Sequence, residues 1–396
     1  MIRRTCKAVL ALTVSMGWTP LAAQEPSPTP ADSAAETEPA PTFLETALPG
    51  VKISGYAEAS FTASTADARD ADGREVIVGR SYERFDDDFM LNALKLALEK
   101  PVQSDQFSAG FRADLLVGQN ATLLQSAGLN LGDQGDVEQA YVMLNIPTGD
   151  EGRALTFKAG KQVSLMGVEV IEDVANPVWS EGNQFLFGEN FTATGLEVAY
   201  RWSPVVITQL LVFNGWDVVK DNNDDVSFMG RLGITPDDRT TIALLGFIGP
   251  EQAGNDDADR KGVELLVYRA VTDEVKLWGQ VDYGTEDASE ALPVPTNDAE
   301  WFAAALWATV DFTPEVGIGL RADYFNDMDG ARTSNSPFTA PFPANTGQEF
   351  GNGTLTLNIR AWENALIRPE VRYDKSSLDD AFGVDDDGEG RDDQFT

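Results

Sequence analysis

The side chains of this sequence that could do chemistry are carboxylates and arginines. The chain has 64 acidic and 29 basic residues, no histidine and a single cysteine, Cys6. The lack of histidine excludes Ser-His-Asp and Cys-His catalysis and removes the commonest metal ligand. A carboxylate-only site, such as a glycosidase pair, is a catalytic class that the composition leaves open.

Five carboxylates and no lysine or arginine lie in residues 164–192, between two stretches of alternating apolar and polar residues. The candidate pore-constriction residues in this segment are Glu169, Glu172, Asp173, Glu181 and Glu189. The candidate pore-wall residues are arginines on the polar faces of other stretches: Arg112, Arg201, Arg231, Arg321, Arg360, Arg368 and Arg372. An acidic segment opposite a basic wall would create a transverse field that orders water and polar solutes. The alternative is a surface lid, with the arginines paired to Glu197, Asp323, Glu370 and Asp374.

The stretches that must position these groups alternate with a period of two. In "EVGIGLRADYF", Ile318 and Leu320 lie on one face, and Arg321 and Asp323 lie on the other. Alternation over about ten residues predicts a strand with one apolar and one polar face. The same pattern predicts fifteen strands, near 51–62, 89–99, 106–117, 137–146, 154–163, 193–202, 205–213, 226–234, 239–248, 262–270, 274–283, 301–312, 315–325, 353–362 and 365–374.

The connections between the predicted strands are alternately long and short along the whole chain. The long segments 63–88 and 164–192, for example, are followed by the short segments "KPVQSD" and "SP". This regularity is typical of outer-membrane barrels, which have tight periplasmic turns and long external loops. Strands of about ten residues are also long enough to cross the hydrocarbon core when tilted. The predicted fold class is therefore all-β, an antiparallel up-and-down transmembrane β-barrel.

The last residues, "RDDQFT", bear on the number of strands. Fifteen is odd, whereas bacterial single-chain barrels have an even number. We therefore predict about 16 strands, the sixteenth beginning at Gln394 and truncated where the sequence ends. The alternative is that this interpretation splits or merges one strand.

The N-terminal region predicts export and a flexible extension. Residues 1–23 combine three basic residues, an apolar stretch and small residues before Gln24, as a secretory signal peptide does. The alternative, a membrane anchor helix, needs a longer apolar stretch of about 18 residues. Residues 24–49 are rich in Pro, Ala and Glu and predict a flexible extension, so the barrel would comprise residues 50–396.

The charge of the chain predicts its partners. Removing the signal peptide's three basic residues changes the net charge from −35 to −38. Such a surface attracts cations and repels nucleic acid. The acidic runs "DNNDD", "GNDDADR" and "VDDDGEGRDD" suit weak Ca²⁺ binding in external loops, although solvated loops without an ion are the alternative. No other cofactor is predicted.

Three segments of the sequence are familiar. "FKAGKQVSLMGVEVIEDVANPVWSEGNQFLFGENFTATGLEVAYRW" resembles the central signature of the β-barrel porin family described as OmpL-like. "LRADYFNDMDGAR" and "LIRPEVRYDKS" resemble later strand-to-loop segments of that family. The resemblance extends over roughly residues 51–396 and implies a pore-like barrel in the outer membrane.

These observations together predict a porin-like channel rather than an enzyme. It would reside in the outer membrane of a Gram-negative-type bacterium, in contact with lipid. Small hydrophilic solutes would diffuse through it, with cations preferred. Three alternatives stay open: a non-conducting barrel acting as an adhesin or envelope tether, a carboxylate-only barrel hydrolase, and a soluble acidic β-protein. A homo-oligomer is compatible with the sequence.

Overall fold

The structure is a computed structural model that describes residues 10–16, 49–70, 72–124, 129, 131–132, 134–150, 152–288, 298–334, 346–384 and 388–396. Most of the predicted signal peptide and extension lie outside the described residues, so both stay predictions. The acidic triplet Asp385, Asp386 and Asp387 also lies outside the described residues. Within the described ranges, no helix is long and apolar enough to span a membrane.

Strands make up most of the described chain. The first half contains β1 (Leu10–Met16), β2 (Lys52–Thr62), β3 (Ala68–Arg69), β4 (Glu75–Val76), β5 (Asp88–Lys100), β6 (Ser108–Val117), β7 (Gly135–Pro147), β8 (Ala154–Val163), β9 (Thr192–Arg201) and β10 (Val206–Phe213). The second half contains β11 (Ser227–Asp237), β12 (Thr240–Gln252), β13 (Asn255–Ala270), β14 (Val275–Glu286), β15 (Ala299–Asp311), β16 (Val316–Asp327), β17 (Gln348–Trp362), β18 (Ala365–Arg368), β19 (Glu370–Ser376) and β20 (Asp393–Phe395). One short helix, α1 (Gln119–Leu124), follows β6.

Eighteen of the described strands form one antiparallel up-and-down sheet, and β3 and β4 form a separate two-stranded sheet. From β5 to β17 each strand pairs with its neighbour in sequence, and β2 pairs with β5. Apolar side chains point outward: Leu210 and Leu306 are 65% and 68% exposed, whereas inward-pointing Gln209 and Arg321 are buried. This distribution suits a wall with lipid outside and a polar lumen inside. The predicted fold class is confirmed.

The fifteen predicted strands are all present, with two local differences. The strand predicted at 365–374 is divided into β18 and β19 at Pro369, because proline has no N–H to donate to the ladder. The external loop that contains "GNDDADR" is instead a long hairpin, in which β12 and β13 turn at Ala253 and Gly254. Gly254 has a φ of +71°, which glycine adopts readily in tight turns.

Two strands, β1 and β20, pair with the short strands β18 and β19 that follow β17. Asp393–Phe395 pairs with Tyr373–Lys375 of β19, which confirms that a strand begins at the predicted place. The backbone of β1 pairs with both β2 and β18.

Candidate functional site

The candidate site is the connection between β8 and β9, residues 164–191, which we call the inner loop. It contains a 3₁₀ turn at Asp173–Ala175 and a π-helical turn at Gln184–Gly188. Every residue from 176 to 190 is buried, and the partners are lumen-facing side chains of the wall. The segment is therefore not a surface lid.

Apolar residues hold the inner loop to several strands. The Phe187 ring centroid lies 5.6 Å from that of Phe325 on β16 and 5.7 Å from that of Phe350 on β17. The same cluster includes Leu211 of β10 and Phe247 of β12. Burial of one such side chain stabilises by about 1.5–3 kcal/mol, so the inner loop has a core of its own within the lumen.

Glu169 forms an ion pair with the wall. Its Oε1 accepts a hydrogen bond from Arg321 Nη1 at 2.7 Å and another from Trp307 Nε1 at 2.9 Å. Its other carboxylate oxygen accepts from the backbone N–H of Gly182 at 2.7 Å. Arg321 also donates to Thr354 and to the backbone carbonyl of Ser180. The predicted constriction residue Glu169 and the predicted wall residue Arg321 are thus in direct contact.

Glu172 forms an ion pair with Lys95, a lysine of the wall. The Lys95 ammonium of β5 contacts Glu172, and it lies 2.6 Å from Glu138 on β7 and 3.1 Å from Asp114 on β6. Although burial alone would raise the pKa of Glu172, the Lys95 charge holds it below its ordinary value. One wall lysine therefore neutralises part of a three-carboxylate group that includes the inner loop.

Asp173 and Glu181 lie deep in the lumen. Asp173 accepts a hydrogen bond from Asn120 Nδ2 of α1 at 3.0 Å, and Glu181 accepts one from Asn176 Nδ2 at 3.2 Å. Burial, followed by the nearby Glu181 carboxylate, raises the pKa of Asp173 well above its ordinary value. Burial also raises the pKa of Glu181. Both groups therefore retain protons at higher pH than exposed carboxyls do.

Two of the other predicted wall arginines also contact the backbone of the inner loop. Arg368 donates to the carbonyl oxygens of Asp173, at 2.7 Å, and Asn176, at 2.9 Å. Arg372 donates to the Glu181 carbonyl oxygen at 2.6 Å and pairs with Asp374 at 2.7 Å. The Arg372–Asp374 pair is one that the sequence had suggested for a satisfied interior.

The remaining predicted arginines do not contact the inner loop in the described residues. Arg112 pairs with Asp114 at 2.9 Å, and Arg231 donates to Gln209 at 3.0 Å. Arg201 points into the lumen near a short turn, where it is partly exposed. Arg360 also lies beside a short turn, pairs with Asp311 at 2.9 Å and has 46% side-chain exposure. Arg360 thus lies on the wall away from the inner loop, because its strand extends past that loop, and its role in the pore wall stays a prediction.

Sequence reasoning considered Glu370 only as a partner of the arginines and missed Glu58, although both residues fix the inner loop. Glu370 accepts hydrogen bonds from the backbone N–H groups of Trp179 and Ser180, at 2.8 and 3.2 Å. Glu58 accepts from Trp179 Nε1 at 2.7 Å. The available signal was a charged residue on the inward face of a strand, as with Lys95 in "LNALKLALEK". The residue that pairs with such a charged side chain could not be inferred from that signal.

The final predicted acid, Glu189, lies near two wall carboxylates, Glu264 of β13 and Asp282 of β14. Gln280 Nε2 donates to Glu189 at 2.6 Å. Gly167 is placed so that a Cβ there would be 2.1 Å from a Glu189 carboxylate oxygen, and its φ of +87° also favours glycine. All three carboxylates are buried.

Residues 50–396 match the family described as "Putative beta-barrel porin-2, OmpL-like". The chain belongs to this porin family. The resemblance inferred from its motifs is thereby confirmed. The porin is an outer-membrane β-barrel of a Gram-negative-type bacterium, in contact with membrane lipid, and its family supports a channel role.

Solved structures show the same architecture. An anion-selective porin from Comamonas acidovorans aligns with this porin at a TM-score of 0.55 and 10% identity, covering 87% of this chain and 96% of that one. The outer-membrane expressed OmpT of Vibrio cholerae aligns at a TM-score of 0.51 and 11% identity, covering 87% and 95%. No curated protein matches in sequence. At such low identity, the likeness shows the fold alone.

Proposed function

We propose that this porin lets small hydrophilic solutes diffuse across the outer membrane, without catalysis, and that it prefers cations. The observation that carries the proposal is the charge of the inner loop, which has five carboxylates and no lysine or arginine. The wall facing it adds the carboxylates Glu58, Asp114, Glu138, Glu264, Asp282, Asp323, Glu370 and Asp374. The facing cations are fewer: Lys95, Arg321, Arg332, Arg368 and Arg372.

The lumen near the short turns supports an aqueous path. There, the inward side chains of β6 to β14 include the partly exposed basic residues Arg112, Lys158, Arg201, Arg231 and Lys276. Lys158 is paired with Glu197 at 2.9 Å. A half-exposed polar interior is what a water-filled vestibule requires. We infer that an acidic constriction and a basic periplasmic vestibule lie in series.

A non-conducting barrel is the second candidate. The apolar cluster around Phe187 favours it, because it connects the inner loop to strands on several sides of the lumen. Conduction would then require the inner loop to move, or a path between the loop and the wall. An adhesin or envelope tether would need neither movement of the inner loop nor a path beside it.

Swelling of proteoliposomes separates the two candidates. We expect the native porin to admit only small neutral sugars or amino acids. A Phe187→Ala variant should admit them faster, because it removes packing worth about 3–5 kcal/mol from the inner loop. A Phe228→Ala variant, altered on the lipid face where Phe228 is 50% exposed, is the matched control. Folded native and Phe187→Ala proteins that both fail to swell liposomes would support the tether.

A further inference from the structure

The lumen contains two groups of three carboxylates built in the same way. The first comprises Glu172 of the inner loop with Asp114 and Glu138, and the second comprises Glu189 of the inner loop with Glu264 and Asp282. In each group, one oxygen atom per residue lies within 4.8 Å of the others. Each group joins one end of the inner loop to two neighbouring parts of the wall.

The two groups differ in how their charge is balanced. Lys95 Nζ contacts all three members of the first group, as described above. Among the described residues, no lysine or arginine nitrogen lies within 4.0 Å of Glu189, Glu264 or Asp282. An unpaired buried carboxylate costs several kcal/mol, and three together also repel one another. The charge of the second group must therefore be balanced by a bound cation or by protons.

Neutral donors satisfy only part of the second group. Gln280 Nε2 donates to Glu189 at 2.6 Å, and to Glu264 and Asp282 at 3.1 Å each, while Gly167 N donates to Glu264 at 2.9 Å. The other carboxylate oxygens, Glu264 Oε1 and Asp282 Oδ1, are buried and have no hydrogen-bond partner among the described residues.

A fourth oxygen lies beside the group without a partner. The Gln184 amide nitrogen donates to Asp282, so the amide lies beside this carboxylate, and a rotation of the amide would present its oxygen there instead. Gln184 is fully buried, and its Oε1 has no hydrogen-bond donor within the described chain. Carboxylate and amide oxygens are ligands that hard divalent cations prefer.

We propose that Glu189, Glu264, Asp282 and Gln184 bind one hard divalent cation, with Ca²⁺ fitting best. Oxygens that share a Ca²⁺ ion are at most about 4.6–5.2 Å apart, and one oxygen of each carboxylate lies within 4.8 Å of the others. The Gln280 amide nitrogen, which contacts all three carboxylates, would turn aside when the ion enters. The carboxylates can bind through one or both oxygens. Ca²⁺ accepts such irregular shells, whereas Mg²⁺ requires a tighter octahedron. The ion would bind the inner loop at Glu189 to β13 and β14. Lys95 has the same role at Glu172, where it connects the inner loop to β5, β6 and β7.

This site is distinct from the acidic external loops considered from the sequence, and it does not depend on conduction. The test is calorimetric titration of CaCl₂ into the folded full-length porin, freed of metal and held in detergent micelles with 0.15 M KCl. We expect one saturable site in the native protein. A Glu264→Gln/Asp282→Asn variant should weaken it by about 100-fold, because two charged ligands are lost.

Two controls locate the ion. Glu138→Gln, in the group that contains Lys95, should keep the native Ca²⁺ affinity. Asp256→Asn/Asp257→Asn, on the exposed hairpin, should keep it as well. Unchanged affinity and stoichiometry in Glu264→Gln/Asp282→Asn would show that Ca²⁺ binds only at external loops, and it would overturn the proposal.

A second measurement covers a variant that fails to fold. The native porin should melt at a higher temperature with Ca²⁺ than with EDTA, and Mg²⁺ should raise it less. A Glu264→Lys variant places an internal ammonium in the group, as Lys95 does in the other, and should make melting independent of Ca²⁺. Native melting that is the same with Ca²⁺ and EDTA would indicate that the group holds protons instead.

Discussion

At the scale of single residues, neighbouring positions of one strand face different solvents. Leu320 is 39% exposed on the outer face of β16, whereas Arg321 is 3% exposed and contacts Glu169 inside. The alternation was readable in the sequence because lipid and lumen impose a period of two. The pairing of Arg321 with Glu169 was not readable in the sequence, because the two residues are 152 positions apart.

The lipid face can be tested at Leu320. Leu320→Arg should impair membrane assembly, with a cost of roughly 2–4 kcal/mol if the side chain lies near the middle of the bilayer. Leu320→Phe, which keeps an apolar surface, should assemble normally. Heat-modifiable migration of the refolded protein measures assembly. Equal assembly of the Arg and native proteins would show that this face does not meet lipid.

The interior ion pair can be tested at Arg321. Arg321→Met leaves Glu169 buried without its cation, which costs about 3–5 kcal/mol, so we expect a looser inner loop and higher single-channel conductance in an intact barrel. Adding Glu169→Leu should recover most of the lost stability, because the uncompensated charge is removed. Arg360→Met, at the exposed pair with Asp311, is the control and should leave conductance unchanged. If the double variant is no more stable than Arg321→Met, the ion pair does not hold the loop.

At the scale of elements, local signals in the sequence located the strands but not the destination of the inner loop. The alternating pattern marked each strand, and "QFT" correctly marked the start of β20. The division at Pro369 and the extended hairpin at Gly254 were missed, although both residues were visible signals. The inner loop is held by contacts with β2, β5 and β13 to β19, which no local pattern encodes.

The inner loop should respond to pH through Asp173 and Glu181. Their pKa values are raised by burial, and the Glu58 and Glu181 carboxylates add to the effect at Asp173. This stabilising contribution is fully present below the unfolded-state pKa of about 4 and is lost as pH rises through the folded-state values. Protease cleavage within the inner loop, measured in EDTA, should therefore increase with pH.

The matched variant for this prediction is Asp173→Asn/Glu181→Gln, in which neutral amides imitate the protonated acids. Its cleavage should depend less on pH than that of the native porin. Identical pH profiles would mean that these two carboxyls do not control the loop.

At the scale of the whole molecule, charge is distributed in series along the lumen. The inner loop contributes acids, and the vestibule near the short turns contributes Arg201 and Arg231, for which the described chain offers no carboxylate within ion-pair distance. The net charge of the chain predicted that cations are attracted. It could not show that an acidic region and a basic region follow one another along the lumen. Only the fold brings the 164–192 segment and the distant arginines together.

Selectivity should depend on the inner loop more than on the external acids. Glu169→Gln/Glu172→Gln/Asp173→Asn should lower the cation-to-anion permeability ratio, because Arg321 loses its paired carboxylate and Lys95 loses one of its three. The effect should persist in 1 M salt, since buried charges are little screened. Neutralising Asp385, Asp386 and Asp387 should change the ratio only in dilute salt. Similar behaviour of the two triple variants would exclude the inner loop as the filter.

The most direct test of the proposed channel is single-channel recording of the native porin in a planar bilayer with a KCl gradient. We predict discrete conductance steps and a reversal potential whose sign shows preference for K⁺ over Cl⁻. Folded protein that inserts without conductance steps, or steps whose reversal potential shows preference for Cl⁻, would contradict the account.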